Sequence, residues 1–280
     1  MIKTKVVSTG GEFAVKAGGK NPLLLMAGPC VIESREKCFK LAEKLKKFAE
    51  KNNVSYIFKA SFDKANRSSV DAFRGPGILD GLEILGEIRN TFGMPVVTDI
   101  HEPWQAELAA KYVDVLQIPA FLCRQTDLLI AAGETGCVVN VKKMQCLAAE
   151  DMSQVIKKLE STGNKRIMLT ERGESFGYRN LVADMRNLMI LKEFGYPVIF
   201  DATHSVQRPG ALGTGSGGDG KWAPALARAA VATGACDGVF IETYENPAEA
   251  LSDGANALAF KALPELWSQL IAIDSIAKGR

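Results

Sequence analysis

Eight short apolar runs, separated by longer amphipathic stretches, limit what this chain can fold into. The runs cover residues 23–27, 56–58, 95–98, 113–118, 137–141, 166–169, 197–200 and 238–241. Most are nearly unbroken Val, Ile, Leu and Phe, the pattern of parallel strands covered on both faces. Helical periodicity fills the gaps at 34–51, 79–92, 104–112, 127–134, 151–161, 181–194, 223–233 and, after the last run, 263–277. In the first of these, Cys38, Leu41, Ala42, Leu45, Phe48 and Ala49 form one stripe, with Ser34 placed to cap its N-terminus. Eight strand–helix alternations predict a closed (β/α)8 TIM barrel; an open doubly wound sheet is the other α/β architecture the alternation allows. Residues 1–21 alternate around glycine pairs at 10–11 and 18–19 and read as a short β-hairpin extension. No linker or repeat divides the chain, so residues 1–280 are expected to form a single domain, and 47% hydrophobic residues suffice for its core.

A barrel of this kind carries its site at the C-terminal ends of the strands. In strand order, the residues there are Cys30; Lys59, Lys64, Asn66, Arg67 and Ser68; Asp99 and His101; Gln117 and Arg124; Asn140, Lys142 and Gln145; Glu171 and Arg172; Asp201 and His204; and Glu242 with Asp253 beyond. Six cations, Lys59, Lys64, Arg67, Arg124, Lys142 and Arg172, thus gather at one end of a chain whose net charge is only +2. Several follow directly on apolar runs, where an unpaired charge is costly. Pairing with Asp63, Asp99, Glu171 and Asp201 accounts for part of this. Anionic ligands would supply the rest, because Arg, Lys, Ser and backbone N–H groups together match phosphate and carboxylate oxygens. The densest cluster is the segment 58–69, where an apolar strand opens into lysines, an arginine, an asparagine and serines.

With no basic run, a nucleic-acid surface is not indicated. No apolar run approaches a membrane span, and the N-terminus lacks the apolar core of a signal peptide. Six cysteines, at 30, 38, 123, 137, 146 and 236, show no CxxC pair and read as reduced thiols of a cytoplasmic protein. Cys30, His204, Glu242 and Asp253 share no local spacing. A cysteine in an apolar run is commonly core, and a lone histidine commonly a hydrogen-bonded structural group. Their placement after neighbouring strands nevertheless allows them to converge. One thiolate, one imidazole and two carboxylates would suit a divalent ion such as Zn2+, Fe2+, Co2+ or Mn2+.

The segments Ala27-Gly28-Pro29-Cys30, Lys64-Ala65-Asn66-Arg67-Ser68-Ser69, Thr98-Asp99-Ile100-His101-Glu102, Gln117-Ile118-Pro119-Ala120-Phe121-Leu122, Arg124-Gln125-Thr126-Asp127, Asn140-Val141-Lys142-Lys143, Thr170-Glu171-Arg172-Gly173, Phe176-Gly177-Tyr178, Asp201-Ala202-Thr203-His204-Ser205 and Leu251-Ser252-Asp253-Gly254 follow one another in this order. The ordered set resembles the 3-deoxy-D-manno-octulosonate 8-phosphate synthase family from about residue 22 onward. That resemblance implies condensation of phosphoenolpyruvate with arabinose 5-phosphate and water, in lipopolysaccharide core synthesis. It implies that Lys59, Lys64, Gln117, Lys142 and Arg172 hold phosphoenolpyruvate, with donors from the backbone near Ala120. Asn66, Arg67 and Ser68 would hold the sugar phosphate, and Arg124 would reach it from a neighbouring subunit of a homotetramer. Catalytic roles would fall on Lys59, Asn66, Asp99, Lys142 and His204. Cys30 after Ala-Gly-Pro, with Ser252-Asp253, is similar to the metal-dependent class, whose ligands would be Cys30, His204, Glu242 and Asp253. Relatives often carry His where this chain has Tyr244.

Two other functions compete. A sister synthase that uses erythrose 4-phosphate shares the barrel and the cysteine, but its second-strand motif usually reads Lys-Pro-Arg-Thr-Ser; Ala65, Asn66 and Ser68 favour the arabinose 5-phosphate enzyme. A non-catalytic sugar-phosphate-binding barrel would retain the pockets without turnover. The segment 208–222, with six glycines between 210 and 220, reads either as a lid over the site or as a plain connection.

Overall fold

Residues 4–211 and 217–280 are described by the computed structural model. The first strands, β1 (Val7–Ser8) and β2 (Lys16–Ala17), form the antiparallel N-terminal hairpin. Then β3 (Leu24–Gly28), α1 (Arg35–Lys51), β4 (Ser55–Lys59), α2 (Ile78–Phe92), β5 (Val96–Asp99), α3 (Trp104–Ala109), β6 (Val115–Ile118), α4 (Thr126–Glu134), β7 (Val138–Lys142), α5 (Met152–Glu160) and β8 (Ile167–Glu171) alternate. A small antiparallel pair, β9 (Glu174–Gly177) and β10 (Asn180–Val182), interrupts before α6 (Arg186–Glu193) and β11 (Val198–Asp201). A second short pair, β12 (Gln207–Arg208) and β13 (Gly217–Gly218), precedes α7 (Ala223–Ala232), β14 (Gly238–Tyr244), β15 (Leu258–Ala259) and α8 (Leu263–Lys278). Strands β3 to β8 pair in sequence order, all parallel; β8 pairs with β11, β11 with β14, and β14 with β3. That last pairing closes the barrel and rules out an open sheet.

Closure follows from how the strands bury their two faces. One set of side chains packs outward beneath the helices: Leu25, Phe58, Val96, Leu116, Val139, Leu169, Phe200 and Ile241 belong to a single core with the apolar stripe of α1. Ser34 caps that helix as expected, its hydroxyl accepting from the Lys37 N–H at 3.2 Å. The alternate set, Leu24, Met26, Ile57, Val97, Val115, Val138, Met168, Ile199 and Phe240, points into the barrel. Val7 and Ala17 join this inner cluster, so the hairpin plugs the end of the barrel where the strands begin. Arg166 fastens it by donating to the Ser8 and Thr9 carbonyls.

Two residues further along each strand, the same inward face turns polar: Lys59, Asp99, Gln117, Asn140, Thr170, Asp201 and Glu242 are all buried. A strand's side chains alternate faces, so the apolar layer dictates where the polar layer points. On β3 the corresponding position is Gly28. A Cβ there would lie 2.0 Å from the Lys59 carbonyl oxygen. Gly28→Ala is therefore expected to cost about 3 kcal/mol or more, because backbone cannot yield as a side-chain tip does. Chemical denaturation checks this; an unchanged midpoint would show that the approach of β3 to β4 is not required.

The expected helix at 181–194 is shorter in the structure. Leu181 lies in β10, and the helix begins only at Arg186. The run Leu181-Val182-Ala183 carries no period long enough to separate helix from strand. The turn before it holds Tyr178 and Arg179 at φ of 53° and 57°, which reverses the chain into a hairpin. The third helix stops at Ala109 rather than 112. The eighth strand continues to Tyr244 rather than ending at 241. Part of the expected lid, residues 212–216, lies outside the described residues, as do residues 1–3 of the hairpin. No helix among the described residues is long and apolar enough to cross a membrane.

Candidate active site

At the C-terminal end of the barrel lies a cavity of about 400 Å3. Lys59, Lys64, Asn66, Arg67, Ser68, Asp99, His101, Gln117, Ala120, Lys142, Gln145, Arg172, His204 and Asp253 all line it. Five of the six predicted cations thus meet in one space. The sixth, Arg124, is exposed and does not line the cavity; it follows the short turn Ala120–Leu122, and its carbonyl accepts from Lys158 at 2.8 Å. On a single chain the cationic cluster therefore numbers five.

The cations are only partly paired. Lys59 donates to the Cys30 carbonyl at 2.7 Å and meets Glu242 Oε1 at 3.0 Å. Lys142 meets Asp201 at 2.6 Å and lies 3.8 Å above the Phe240 ring. Burial lowers the pKa of Lys142, and Asp201 restores only part of it. Lys64 is raised instead: burial works against its charge, but Cys30, Asp99, Glu242 and Asp253 outweigh burial. Arg172 donates through Nη2 to Gln207 at 2.9 Å, while its Nη1 is buried without a partner. Arg67 donates to the Phe73 carbonyl, and its Nη2 is likewise buried and unpartnered. Two guanidinium groups with unused N–H donors in one cavity are arranged to take anions.

Neutral groups complete the wall. Asn140 donates to Gln117 at 3.1 Å and accepts from Thr170 at 2.7 Å, which fixes the amide of Gln117 at the cavity floor. Ser61 donates to Asp99, whose other oxygen lies 3.2 Å from His101 Nε2. Burial would raise the Asp99 carboxyl, yet Lys64 and His101 hold it well below the usual range. His101 lines the cavity.

Cys30, Glu242 and Asp253 offer ligand atoms all within 4.8 Å of one another. His204, the fourth residue of the expected set, is not in that group but lies beside it, its Nε2 3.5 Å from Glu242 Oε1 and 4.0 Å from Asp253 Oδ2. The other ring nitrogen, Nδ1, lies 2.7 Å from Asp201. Burial alone would raise Asp201, but His204 and Lys142 hold it far below the usual carboxylate range. An ionised Asp201 favours the proton on Nδ1 and turns Nε2 toward Glu242 and Asp253, the arrangement by which a carboxylate can orient an imidazole toward a cation. The donor chemistry passes a second test. Glu242 Oε2 is buried with no hydrogen-bond partner. Burial, reinforced by Glu242, pushes the Cys30 thiol well above its ordinary range, and Cys30 Sγ lies 3.1 Å from Asp253 Oδ2. A divalent cation would replace the thiol proton and satisfy the orphaned oxygen.

Glu171 departs from its predicted place. It has the opposite strand parity to Thr170 and Arg172 and turns away from the cavity. There its Oε1 accepts from the Arg172 and Gly173 N–H groups, and Lys143 lies 3.5 Å from Oε2. It holds the backbone that aims Arg172. Sequence reasoning missed Gln207, whose amide accepts from Arg172 and donates to Asp253 Oδ1 at 3.1 Å, tying the anion pocket to the carboxylate cluster. No local pattern marks it. It lies just past the short turn His204–Val206, and only the fold puts it between those two partners.

Comparison with known proteins agrees with this geometry. The model of the DAHP synthetase I family matches residues 2–278. A 2-dehydro-3-deoxyphosphooctonate aldolase of Geobacter metallireducens is 56% identical over 264 residues, covering 94% of this chain and 97% of the relative. Proteins of the same name from Desulfatibacillum aliphaticivorans and Protochlamydia amoebophila are 54% and 56% identical, covering 98% and 92% of this chain and 99% and 93% of the relatives. With a match over nearly its whole length and an intact cavity, the chain belongs to the DAHP synthetase I family.

Proposed function

We propose that this chain condenses phosphoenolpyruvate with D-arabinose 5-phosphate and water, giving 3-deoxy-D-manno-octulosonate 8-phosphate and inorganic phosphate for lipopolysaccharide core synthesis. The observation that carries this reading is the pair of buried, unpartnered guanidinium donors, Arg67 Nη2 and Arg172 Nη1, facing one cavity with three lysines. Two anionic substrates supply the charge that these groups lack. The name shared by the relatives points to the same reaction.

Lys59, Lys142 and Arg172 surround the phosphoenolpyruvate carboxylate and phosphate, with Lys64 and Gln117 beside them. Asn66, Arg67 and Ser68 take the sugar phosphate and its hydroxyls. C3 of phosphoenolpyruvate then forms a bond to the aldehyde carbon while water adds at C2. Phosphate leaves by cleavage of its bond to C2 as C2 becomes a ketone; water gives up both protons, one to the new alkoxide on the former aldehyde carbon and one to solvent or the departing phosphate. Donors fixed in advance stabilise the charge that develops at the aldehyde oxygen and the leaving phosphate. Holding both substrates face to face in one cavity supplies the proximity term. Cys30, His204, Glu242 and Asp253 are assigned to one divalent cation, which when bound supplies Lewis acidity toward the sugar or the water. Asp201 keeps the Nδ1 proton of His204 in place, and Asp99 orients His101 at the wall. Arg124, exposed beside Ala120, is assigned to the sugar-phosphate end of a second copy's cavity in a homotetramer.

Phosphate release from phosphoenolpyruvate, measured separately with arabinose 5-phosphate and erythrose 4-phosphate, tests the assignment. Turnover with the pentose phosphate at least about 100-fold faster, some 3 kcal/mol in transition-state terms, is expected. Preference for erythrose 4-phosphate would move the chain to the sister synthase. Calorimetric binding of both substrates without phosphate release would make it a binding barrel.

A further inference from the structure

Tyr244 stands at the end of β14, two residues past Glu242 and on the same face of the strand. It is 8% exposed and packs in a small cluster with Cys30 and Ala257, apart from the main core. Its hydroxyl accepts from the Cys30 N–H at 2.9 Å and donates to the Ser252 carbonyl at 3.2 Å. A phenol oxygen can do both at once, having one donor and two acceptor positions. The three segments that carry Cys30, Glu242 and Asp253 are therefore joined at one atom. Beyond that atom, Asp253 is held by Gln207 and Cys30 at its carboxylate and by a local turn at its carbonyl, not by regular secondary structure. The stretch from 245 to 257 contains only the short turn Pro247–Glu249, and Asp253 itself sits at φ 53°, a conformation that few side chains favour.

We infer that Tyr244 is a positioning residue for the proposed cation site: its hydroxyl holds the Cys30 and Ser252-Asp253 backbones at the spacing that lets their side chains share one ion with Glu242. This rests on the cation reading above. The backbone on either side of a ligand sets where the ligand atom falls, and errors of an ångström are enough to weaken a metal site. Without the hydroxyl, a buried N–H and a buried carbonyl lose their partner, and the backbones of Cys30 and Ser252 lose the link that Tyr244 makes between them, leaving only side-chain contacts there.

The test compares Tyr244→Phe with Tyr56→Phe. Tyr56 is a second buried tyrosine, whose hydroxyl donates to the Ala27 carbonyl at 2.8 Å on the same strand β3, away from the ligand residues. Tyr244→Phe loses two buried hydrogen bonds and Tyr56→Phe one, and both are expected to melt lower as metal-free proteins. Only Tyr244→Phe is expected to weaken Co2+ binding, by roughly 10- to 100-fold in competition with a chelator, and to reduce the thiolate-to-cobalt absorption. Unchanged affinity and absorption in Tyr244→Phe, or equal weakening in Tyr56→Phe, would overturn the inference. Wild-type protein that binds no Co2+ and shows no thiolate band would instead overturn the cation reading, and this inference with it.

Discussion

Arg172→Met is expected to lower kcat/KM for phosphoenolpyruvate by about three orders of magnitude, near 4 kcal/mol, while leaving the substrate-free protein no less stable. Fixed donors at developing charge are each worth a factor of about 100 to 1,000, and Arg172 presents a whole guanidinium. Its position is costly for the empty protein. The side chain is 4% exposed, and Nη1 has no partner. Burial lowers its pKa despite the nearby carboxylates of Asp201 and Asp253. A buried charge that awaits its counter-charge destabilises the resting fold, and an apolar side chain of similar length removes that penalty. Steady-state kinetics and thermal melts, with and without phosphoenolpyruvate, check both halves. The wild type should be stabilised by the ligand and the variant should not. A variant that melts well below the wild type and keeps its kcat/KM would show that Arg172 is a structural residue.

Cys30→Ala is expected to abolish stoichiometric binding of a divalent ion and to reduce turnover at least about 1,000-fold, roughly 4 kcal/mol. The contrast with Cys38 shows why. Cys38 is also buried, and its thiol is pushed up to about 12 by burial. It packs under α1 as an apolar group. Cys30 is equally buried but sits against Glu242 and Asp253, whose charges push its thiol up further and whose ligand atoms lie with its sulfur within 4.8 Å of one another. Elemental analysis and activity of Cys30→Ala and Cys38→Ala, before and after chelator, separate the two thiols. Only the first should lose its ion. Wild-type protein that keeps full activity after exhaustive chelation would remove the ion from the reaction, and Cys30 would then be a packing residue.

Much of this site was legible because barrel geometry converts strand ends into neighbours. Lys59, Asp99, Gln117, Lys142, Arg172 and Glu242 stand at or just past the ends of β4 to β8 and β14, in line with the inward apolar residues before them. Their convergence required only the strand count and the period of two. Residues whose partners lie far along the chain were less readable. Gln207 and Tyr244 act through hydrogen bonds to segments distant in sequence, and nothing local distinguishes them from other polar or aromatic residues. Glu171 was placed with Arg172 by adjacency, but adjacent strand residues face opposite ways. The helix expected from 181 failed at its start, because three apolar residues satisfy strand and helix patterns alike.

The chain's letters by themselves determined the eightfold strand–helix alternation, the end at which the cations collect, and the strand that delivers each. Those features depend on periodicity and chain order, which are local. Only the tertiary structure decided that Arg124 stays outside the cavity and that Asp201 shares itself between Lys142 and His204. It alone brought Cys30 to within hydrogen-bonding distance of a carboxylate 223 positions away. Such choices depend on which buried charges can be satisfied once all eight strands are in register, and no stretch of sequence contains that balance.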